Sequence, residues 1–282
     1  MQKIAAIFDG LKFSESTLYY AVLLAKEQQA HLTGIFPDDF TYNSFSMYEL
    51  LKSGVEQAKL NELEEEDKAK RIAAAATFEA ACKQAGISYN MHQNKNISLL
   101  EVLQESIYAD LLIIDAHETF ARVEMAPPTR FIRDLLVDVQ CPVLIVPSEY
   151  HTIPSISEIE KVVLLYDGEP SSVYAIKMFS YVMPLLQQLP VTVLSVNYEG
   201  NYLSNKELIR DFIIQHYPQA NFEVMEGVPE EKIPHYLKEQ TKGTLAVLGA
   251  YRRGAVSRWF RSSMADELMQ FASAPLFVAH NK

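Results

Sequence analysis

Cysteine and long apolar runs are both scarce in this sequence. Only Cys82 and Cys141 occur among 282 residues, so neither a disulfide framework nor a cysteine-based zinc site is expected. No uninterrupted apolar stretch approaches the roughly 18 residues of a membrane-spanning helix, and the N-terminal run that Asp9 ends is too short for a signal peptide. The sequence therefore predicts a cytoplasmic protein with no metal site and no membrane association.

Positive charge is also scarce. The chain carries 25 lysines and arginines against 36 aspartates and glutamates, which gives a formal net charge of −11. Proteins that bind nucleic acids gain much of their affinity by neutralising phosphates, so this balance argues against a nucleic-acid partner.

Recognisable catalytic motifs are missing as well. The sequence contains no G-x-S-x-G elbow, no GxxxxGK[ST] loop, no HExxH motif and no G-x-G-x-x-G after its first strand. The histidines are scattered, without a nucleophile and an orienting carboxylate at recognisable spacing. We therefore assign no catalytic residue.

The sequence does contain an internal repeat. KIAAIFDG is matched by KVVLLYDG, ADLLIIDAHE by GTLAVLGAYR, and QCPVLIVPS by SAPLFVAHN, in the same order. A repeat of this length indicates two related domains, which we place at residues 1–150 and 158–282 around a polar linker that contains prolines.

Both copies predict the same α/β fold. Their continuous runs of valine, isoleucine and leucine, separated by helical segments, are typical of parallel strands that are covered on both faces. The predicted strands are 3–8, 31–36, 87–92, 110–114 and 142–147 in the first copy, and 161–166, 191–197, 221–226, 244–248 and 275–279 in the second.

The first copy is the longer one. Asp9 to Pro142 spans 133 positions, whereas Asp167 to Pro275 spans 108, and most of the 25 extra residues precede the fourth strand. We place them at 37–60, where an aromatic-rich insert predicts a short helix near 46–51 and either covers local core or forms a lid or partner surface. In the helix predicted at 55–85, the acidic run 64–67 is expected to face solvent.

Ligands of open parallel α/β sheets bind beyond the carboxyl ends of the strands. In the second copy, Asp167, the residues near Val196, Gly227 and Gly249 would converge at this edge. A small anionic ligand would suit the place, because the helix that follows the loop after Gly249 presents unpaired N–H groups at its N-terminus.

The loop and helix start after Gly249 hold further polar groups. Arg252 and Arg253 lie in the loop, and Ser262 and Ser263 lie at the start of the helix. Together they could hold a phosphate through guanidinium groups, hydroxyls and backbone N–H groups. The alternative is that a serine only caps the helix and the arginines are solvated.

These features resemble the universal stress protein (UspA-type) family. The resemblance rests on the aspartate after the first strand of each copy and on the family's G-x2-G-x9-G-[S/T] block. Gly249 stands at the first glycine of that block, Arg252 at the second, Ser262 at the third and Ser263 at the final hydroxyl, while Gly254 matches the usual loop. Two of the three motif glycines are therefore replaced.

The resemblance implies two tandem domains, each a five-stranded parallel sheet of the Rossmann-like, adenine-nucleotide alpha-hydrolase-like type. Adenosine would contact Asp167 and the backbone near Val196, and the ribose and phosphates would lie near Gly227, Gly249, Gly254 and Ser263. The ligand would be ATP, ADP or AMP, and no residue can be assigned to Mg²⁺. Slow ATP hydrolysis is the most activity that we expect.

The first copy departs further from the family pattern. Asp115 replaces the first glycine, and the block that follows, HETFARVEMAPPTRF, contains no glycine at all. A carboxylate at this place would repel phosphates, so we expect nucleotide binding in the second copy only.

Two functional hypotheses follow. In the first, the protein responds to stress and an adenine nucleotide in the C-terminal domain regulates it; in the second, it is a nucleotide-free tandem scaffold that binds a protein partner. The resemblance also implies that strands 142–147 and 275–279 pair within one chain around a pseudo-two-fold axis, and that such chains can form homodimers.

Overall fold

The structure is a computed structural model that describes residues 3–39, 42–148, 159–198, 200, 203–240, 243–249, 268–269 and 275–280. All ten predicted strands are confirmed, with boundaries that differ by at most two residues. They are β1 (Lys3–Ile7), β2 (His31–Ile35), β3 (Tyr89–His92), β4 (Leu111–Asp115), β5 (Val143–Val146), β6 (Lys161–Leu165), β7 (Val191–Asn197), β8 (Asn221–Glu226), β9 (Thr244–Gly249) and β10 (Leu276–Ala279).

Helices connect the strands as the repeat predicts. They are α1 (Glu15–Gln28), α2 (Met47–Lys52), α3 (Gln57–Ala85), α4 (Ser98–Ser106), α5 (Arg130–Asp138), α6 (Pro170–Val182), α7 (Lys206–His216) and α8 (Pro229–Glu239). The short helix predicted in the insert is confirmed as α2, where the Ser46 hydroxyl caps the first turn by accepting from the N–H of Glu49 at 3.3 Å.

The ten strands form one sheet in the order β3-β2-β1-β4-β5-β10-β9-β6-β7-β8. Every neighbouring pair is parallel except β5 and β10, which run antiparallel with Leu144 opposite Phe277. The order of the second five strands is the reverse of the first, so the two halves are related by a pseudo-two-fold axis at this seam. The predicted pairing of the last strands within one chain is thereby confirmed; the predicted domain boundary, 150–158, lies outside the described residues.

Apolar layers cover both faces of the sheet. Because side chains alternate along a strand, Ile4, Ala6 and Phe8 pack on one face while Ala5 and Ile7 pack on the other. The first face is covered by buried side chains of α1, α3, α6 and α7, and the second by those of α4, α5 and α8. The carboxyl ends of the strands therefore stay open to the loops that form the candidate sites.

Among the described helices, none is both long enough and apolar enough to cross a membrane.

Candidate functional site

In the N-terminal half, the strand ends carry a carboxylate that the protein itself surrounds. Asp115 ends β4 and accepts hydrogen bonds from the Ser14 hydroxyl at 2.7 Å, from the N–H of His117 at 2.8 Å and from the Ser148 hydroxyl. Burial opposes ionisation of Asp115, but these donors outweigh it and hold the pKa of its carboxyl below the usual value.

Asp115 lies beside the start of the first helix of the N-terminal half. Ser14 is the N-cap residue of α1, so the carboxylate of Asp115 lies beside a helix N-terminus, the place where an anionic ligand would bind. A second negative charge would be repelled there. That Asp115 excludes phosphates from the N-terminal half stays a prediction.

Glu118 adds a second acidic group from the loop that follows β4. Its side chain is buried, and its Oε1 atom accepts from the N–H groups of Thr119 at 2.8 Å and Phe120 at 2.9 Å. Burial, assisted by the nearby charge of Asp9, raises the pKa of Glu118 to about 8. Burial therefore favours the neutral form of Glu118.

Lys12 ties this loop to the turn after β1. Its ammonium group donates to the Thr119 hydroxyl at 2.9 Å and to the carbonyl of Ala121 at 2.8 Å, and it lies 3.9 Å from a carboxylate oxygen of Asp9. Asp9 also holds its own turn by accepting from the N–H of Leu11 at 2.8 Å. The loop is thus held over the ends of β1 and β4.

The insert completes the closure of this half. The hydroxyl of Tyr42 donates to Asp9 at 2.8 Å, and the ring of Tyr42 lies 6.0 Å from the ammonium group of Lys12. Tyr42 is buried, whereas Tyr48 and Leu51 on α2 are 73% and 62% exposed. One end of the insert therefore covers local core, as one of the two interpretations predicts, and the other presents apolar side chains to solvent.

The prediction that the acidic run 64–67 faces solvent is right for residues 64–66 and wrong for Asp67. Asp67 is 1% exposed and accepts from Ser44 twice, from its N–H at 2.8 Å and its hydroxyl at 2.5 Å. The insert folds across α3 at this point, and the donors of Ser44 need an acceptor once they leave water.

In the C-terminal half, four predicted site residues meet at one edge of the sheet. Asp167 follows β6, Val196 lies at the end of β7, Gly227 follows β8, and Gly249 ends β9. These strands are neighbours in the order β9-β6-β7-β8. Asp167 accepts from the N–H of Glu169 at 2.9 Å, so it holds its turn as Asp9 does in the other half.

The turn after β6 is shorter than its counterpart. Helix α6 begins at Pro170, with Glu169 as its N-cap residue, and the cap makes no side-chain hydrogen bond to the described first turn. In α1, by contrast, the Ser14 hydroxyl accepts from the N–H of Thr17 at 3.1 Å. Helix α6 therefore begins three residues after Asp167, and the partial positive charge of its N-terminus lies near this turn.

The structure requires a glycine at position 249 for a reason that does not involve a ligand. A Cβ atom at this position would lie 2.5 Å from the carbonyl carbon and oxygen of Ser171 and 2.7 Å from the nitrogen of Ser172. The first turn of α6 thus packs directly on the end of β9. Gly227 has the left-handed φ of 141°, which favours glycine in the turn before α8.

The remaining predicted site residues, Arg252, Gly254, Ser262 and Ser263, lie outside the described residues, and their roles stay predictions. The sequence reasoning missed Tyr42 and the burial of Glu118. For Tyr42 a signal was available, because an insert that follows β2 begins at the carboxyl edge of the sheet and can reach Asp9.

Comparisons with known proteins address the fold. No protein-family model and no curated protein matches this chain. A universal stress protein from Archaeoglobus fulgidus DSM 4304 is similar in structure over 99% of this chain and 98% of its own, with 14% identity and a TM-score of 0.71.

Two other solved structures are similar along nearly the whole chain. A protein of Pseudomonas aeruginosa UCBPP-PA14 assigned to the universal stress proteins covers 99% of this chain and 92% of its own, with 16% identity and a TM-score of 0.58. The cytoplasmic domain of a prokaryotic cation chloride cotransporter covers 99% and 95%, with 8% identity and a TM-score of 0.53. The chain therefore has the tandem α/β fold of the universal stress proteins.

Proposed function

We propose that this chain is a cytoplasmic stress-response protein of the universal stress protein type, and that its C-terminal half binds an adenine nucleotide as a regulatory ligand. The observation that supports this proposal is the difference between the two crevices at the carboxyl ends of the strands, one in each half. The N-terminal one holds Asp9, Asp115 and Glu118 under a loop and the insert. At the corresponding strand ends of the C-terminal one, Asp167 follows β6 and precedes the N-terminus of α6, Gly249 ends the neighbouring strand β9, and Gly227 follows β8 two strands away.

Each described group suits a part of the ligand. The N-terminus of α6 favours an anion, and Asp167 could accept a hydrogen bond from an adenine amino group or a ribose hydroxyl. ATP, ADP and AMP share these parts. The predicted phosphate contacts are Gly254, Ser262, Ser263 and the side chain of Arg252.

The test is equilibrium dialysis of the full chain against ATP, ADP and AMP, preceded by mass spectrometry of any ligand released on denaturation. Asp167→Asn keeps an oxygen to accept from the N–H of Glu169, so the turn is preserved while the charge is lost. We expect it to weaken nucleotide binding by about tenfold. The matched control, Asp9→Asn in the closed half, should leave nucleotide binding unchanged.

Gly249→Val is unsuitable as a binding variant, because its side chain would displace α6 whether or not a nucleotide binds. If wild-type protein retains none of the three nucleotides, the proposal fails. Equal weakening by Asp167→Asn and Asp9→Asn would also contradict the assignment to the C-terminal half.

The second candidate is a nucleotide-free scaffold that acts through a protein partner. The observation that favours it is a set of exposed apolar residues on the N-terminal half, Tyr48 and Leu51 on α2 and Val123 and Met125 in the loop after β4. Arg122 joins the two segments by donating to the carbonyl of Phe45 at 2.7 Å. Nucleotide binding by Arg252→Gly but not by the wild type would support this candidate.

A further inference from the structure

A second concave site lies in the N-terminal half. It is on the β2 and β3 side of β1, whereas Asp115 is on the β4 side. A cavity of about 430 Å³ opens at the carboxyl ends of β1, β2 and β3, against one flank of α3. Gly10, Phe36, Asp38, Lys68, Arg71 and Lys95 are among its lining residues. Its volume falls within the range of small-molecule sites, which is about 300–1,000 Å³.

The charge of this cavity is opposite to that of the protein. Three cationic side chains, Lys68, Arg71 and Lys95, line it together with one carboxylate, Asp38, in a chain whose net charge is −11. Asp38 lies 3.6 Å from the guanidinium group of Arg71, and Lys68 lies 3.5 Å from Glu65. Both ion pairs are partly or largely exposed, so each stabilises the fold little and can yield to a ligand.

Arg71 is positioned before any ligand arrives. Its Nη2 atom donates to the carbonyl of Tyr42 at 2.8 Å, which links the cavity to the insert. Its stem packs against the turn after β1, where a Cβ atom on Gly10 would lie 2.9 Å from its Cγ. An arginine held in this way loses little side-chain entropy when a planar oxyanion group binds it.

We propose that this cavity binds a small, multiply charged anion that carries phosphate groups. Arg71 provides a fixed guanidinium, and Lys68 and Lys95 provide mobile point charges at the rim, the combination that suits phosphoryl oxygens. Phe36 forms an apolar floor that leaves the charged walls to select the ligand. This site uses none of the C-terminal residues and is independent of the nucleotide site proposed above.

The experiment is calorimetric titration of the full chain with inorganic tripolyphosphate at low ionic strength. The test variant is Lys68→Gln combined with Lys95→Gln, because both side chains are at the rim and neither holds the fold. We expect the double variant to weaken binding by about tenfold. The matched control is Lys83→Gln, an exposed lysine on the same helix about 22 Å from Lys68 along the axis, which should change binding by less than about twofold.

Each outcome decides the proposal. Wild-type binding that is lost in the double variant and kept in Lys83→Gln supports it. No measurable binding by the wild type overturns it, as does binding that the double variant retains in full, because the anion would then occupy another site. Equal weakening by the test and control variants would show a diffuse charge effect and would also overturn it.

Discussion

The ends of β4 and β9 occupy equivalent places in the two halves, yet one ends in Asp115 and the other in Gly249. In the N-terminal half, the protein supplies its own anion beside the N-terminus of α1 and surrounds it with hydroxyl and amide donors. In the C-terminal half, the glycine lets α6 approach so closely that no side chain fits. At equivalent strand ends the fold therefore places a carboxylate beside the helix start in one half and a close backbone contact with the helix in the other.

In the N-terminal half, acidic residues at the carboxyl ends of the strands form a hydrogen-bonded structural network. Asp9, Asp115 and Glu118 are three acidic groups at one end of a sheet, and such an arrangement would be costly if all were ionised without partners. Hydrogen bonds lower the pKa of Asp115, whereas burial raises the pKa of Glu118. The two groups should therefore respond to pH in opposite directions.

The largest effect is expected at Gly249. Gly249→Ala places a Cβ atom against the backbone of Ser171 and Ser172, which cannot move without shifting α6, so we expect a loss of at least about 3 kcal/mol in the free energy of unfolding. Urea denaturation of the wild type and Gly249→Ala measures this loss. The control is Gly86→Ala, which has a left-handed φ of 67° but open space around it and should cost about 1 kcal/mol. Equal losses would show that crowding at β9 is not the cause.

The second-largest effect on stability is expected when the carboxylate of Asp115 is removed. Asp115→Ala leaves the donors of Ser14, His117 and Ser148 without their acceptor and should lower the free energy of unfolding by about 3 kcal/mol at pH 7. Because folding lowers the pKa of Asp115, its contribution is present above about pH 4 and is lost as the pH falls through the folded pKa.

Urea titrations of Asp115→Ala at pH 7 and pH 3 should therefore differ, with a smaller gap to the wild type at pH 3. The half-exposed Asp134, on α5, provides the control, and Asp134→Ala should change stability by less than about 0.5 kcal/mol. A gap that stays constant with pH would contradict the charged state of Asp115.

Glu118 should show the opposite dependence on pH. Its pKa is raised from 4.5 to about 8 in the folded state, so its stabilising contribution is complete below the unfolded pKa and is lost as the pH rises towards about 8. Glu118→Gln keeps the acceptor for Thr119 and Phe120 and cannot ionise. It should match the wild type near pH 4.5, exceed it by about 2 kcal/mol at pH 6, and exceed it by more as the pH rises towards 8.

Thermal or urea unfolding across this pH range gives the comparison for Glu118. Glu124→Gln, an exposed position in the same loop, serves as the control and should follow the wild type throughout. A Glu118→Gln curve parallel to the wild type would mean that Glu118 is ionised in the folded protein.

The smallest effect concerns the insert. Tyr42→Phe removes the hydrogen bond to Asp9 and keeps the ring, so a loss of about 1 kcal/mol is expected. Tyr48→Phe, on the exposed face of α2, should leave the free energy of unfolding measured by urea denaturation unchanged. If both variants behave alike, the insert does not seal the N-terminal crevice.

The strands could be predicted because each copy repeats the same apolar runs, and the seam between β5 and β10 followed from the family resemblance; the order of the other strands in the sheet was not predicted. The contacts of Tyr42 with Asp9 and of Ser44 with Asp67 could not, because the insert has no counterpart in the second copy. Where the repeat offers no second example, the choice between a buried and an exposed side chain depends on packing that only the structure shows.

The sequence predicts where the candidate site lies better than it predicts why each residue is there. Asp167, Val196, Gly227 and Gly249 lie at neighbouring strand ends because each follows or ends an apolar run, which sequence reveals. That Gly249 accommodates the backbone of α6 depends on where the helix begins, and a turn of this length can start its helix at Pro170 or at either following serine. The sequence alone does not distinguish these starts.

The antiparallel seam has a consequence for the order of events during synthesis. Strand β5 ends at Val146 and β10 begins at Leu276, so 276 − 146 = 130 positions separate the two partners. At 5–20 residues per second, a ribosome needs roughly 7 to 26 s to bridge that interval. Throughout it, β5 is an open edge that can pair with the same strand of a chain emerging nearby. Crowded translation of one message would therefore favour exchanged, two-chain products, and slow initiation would favour closure within each chain.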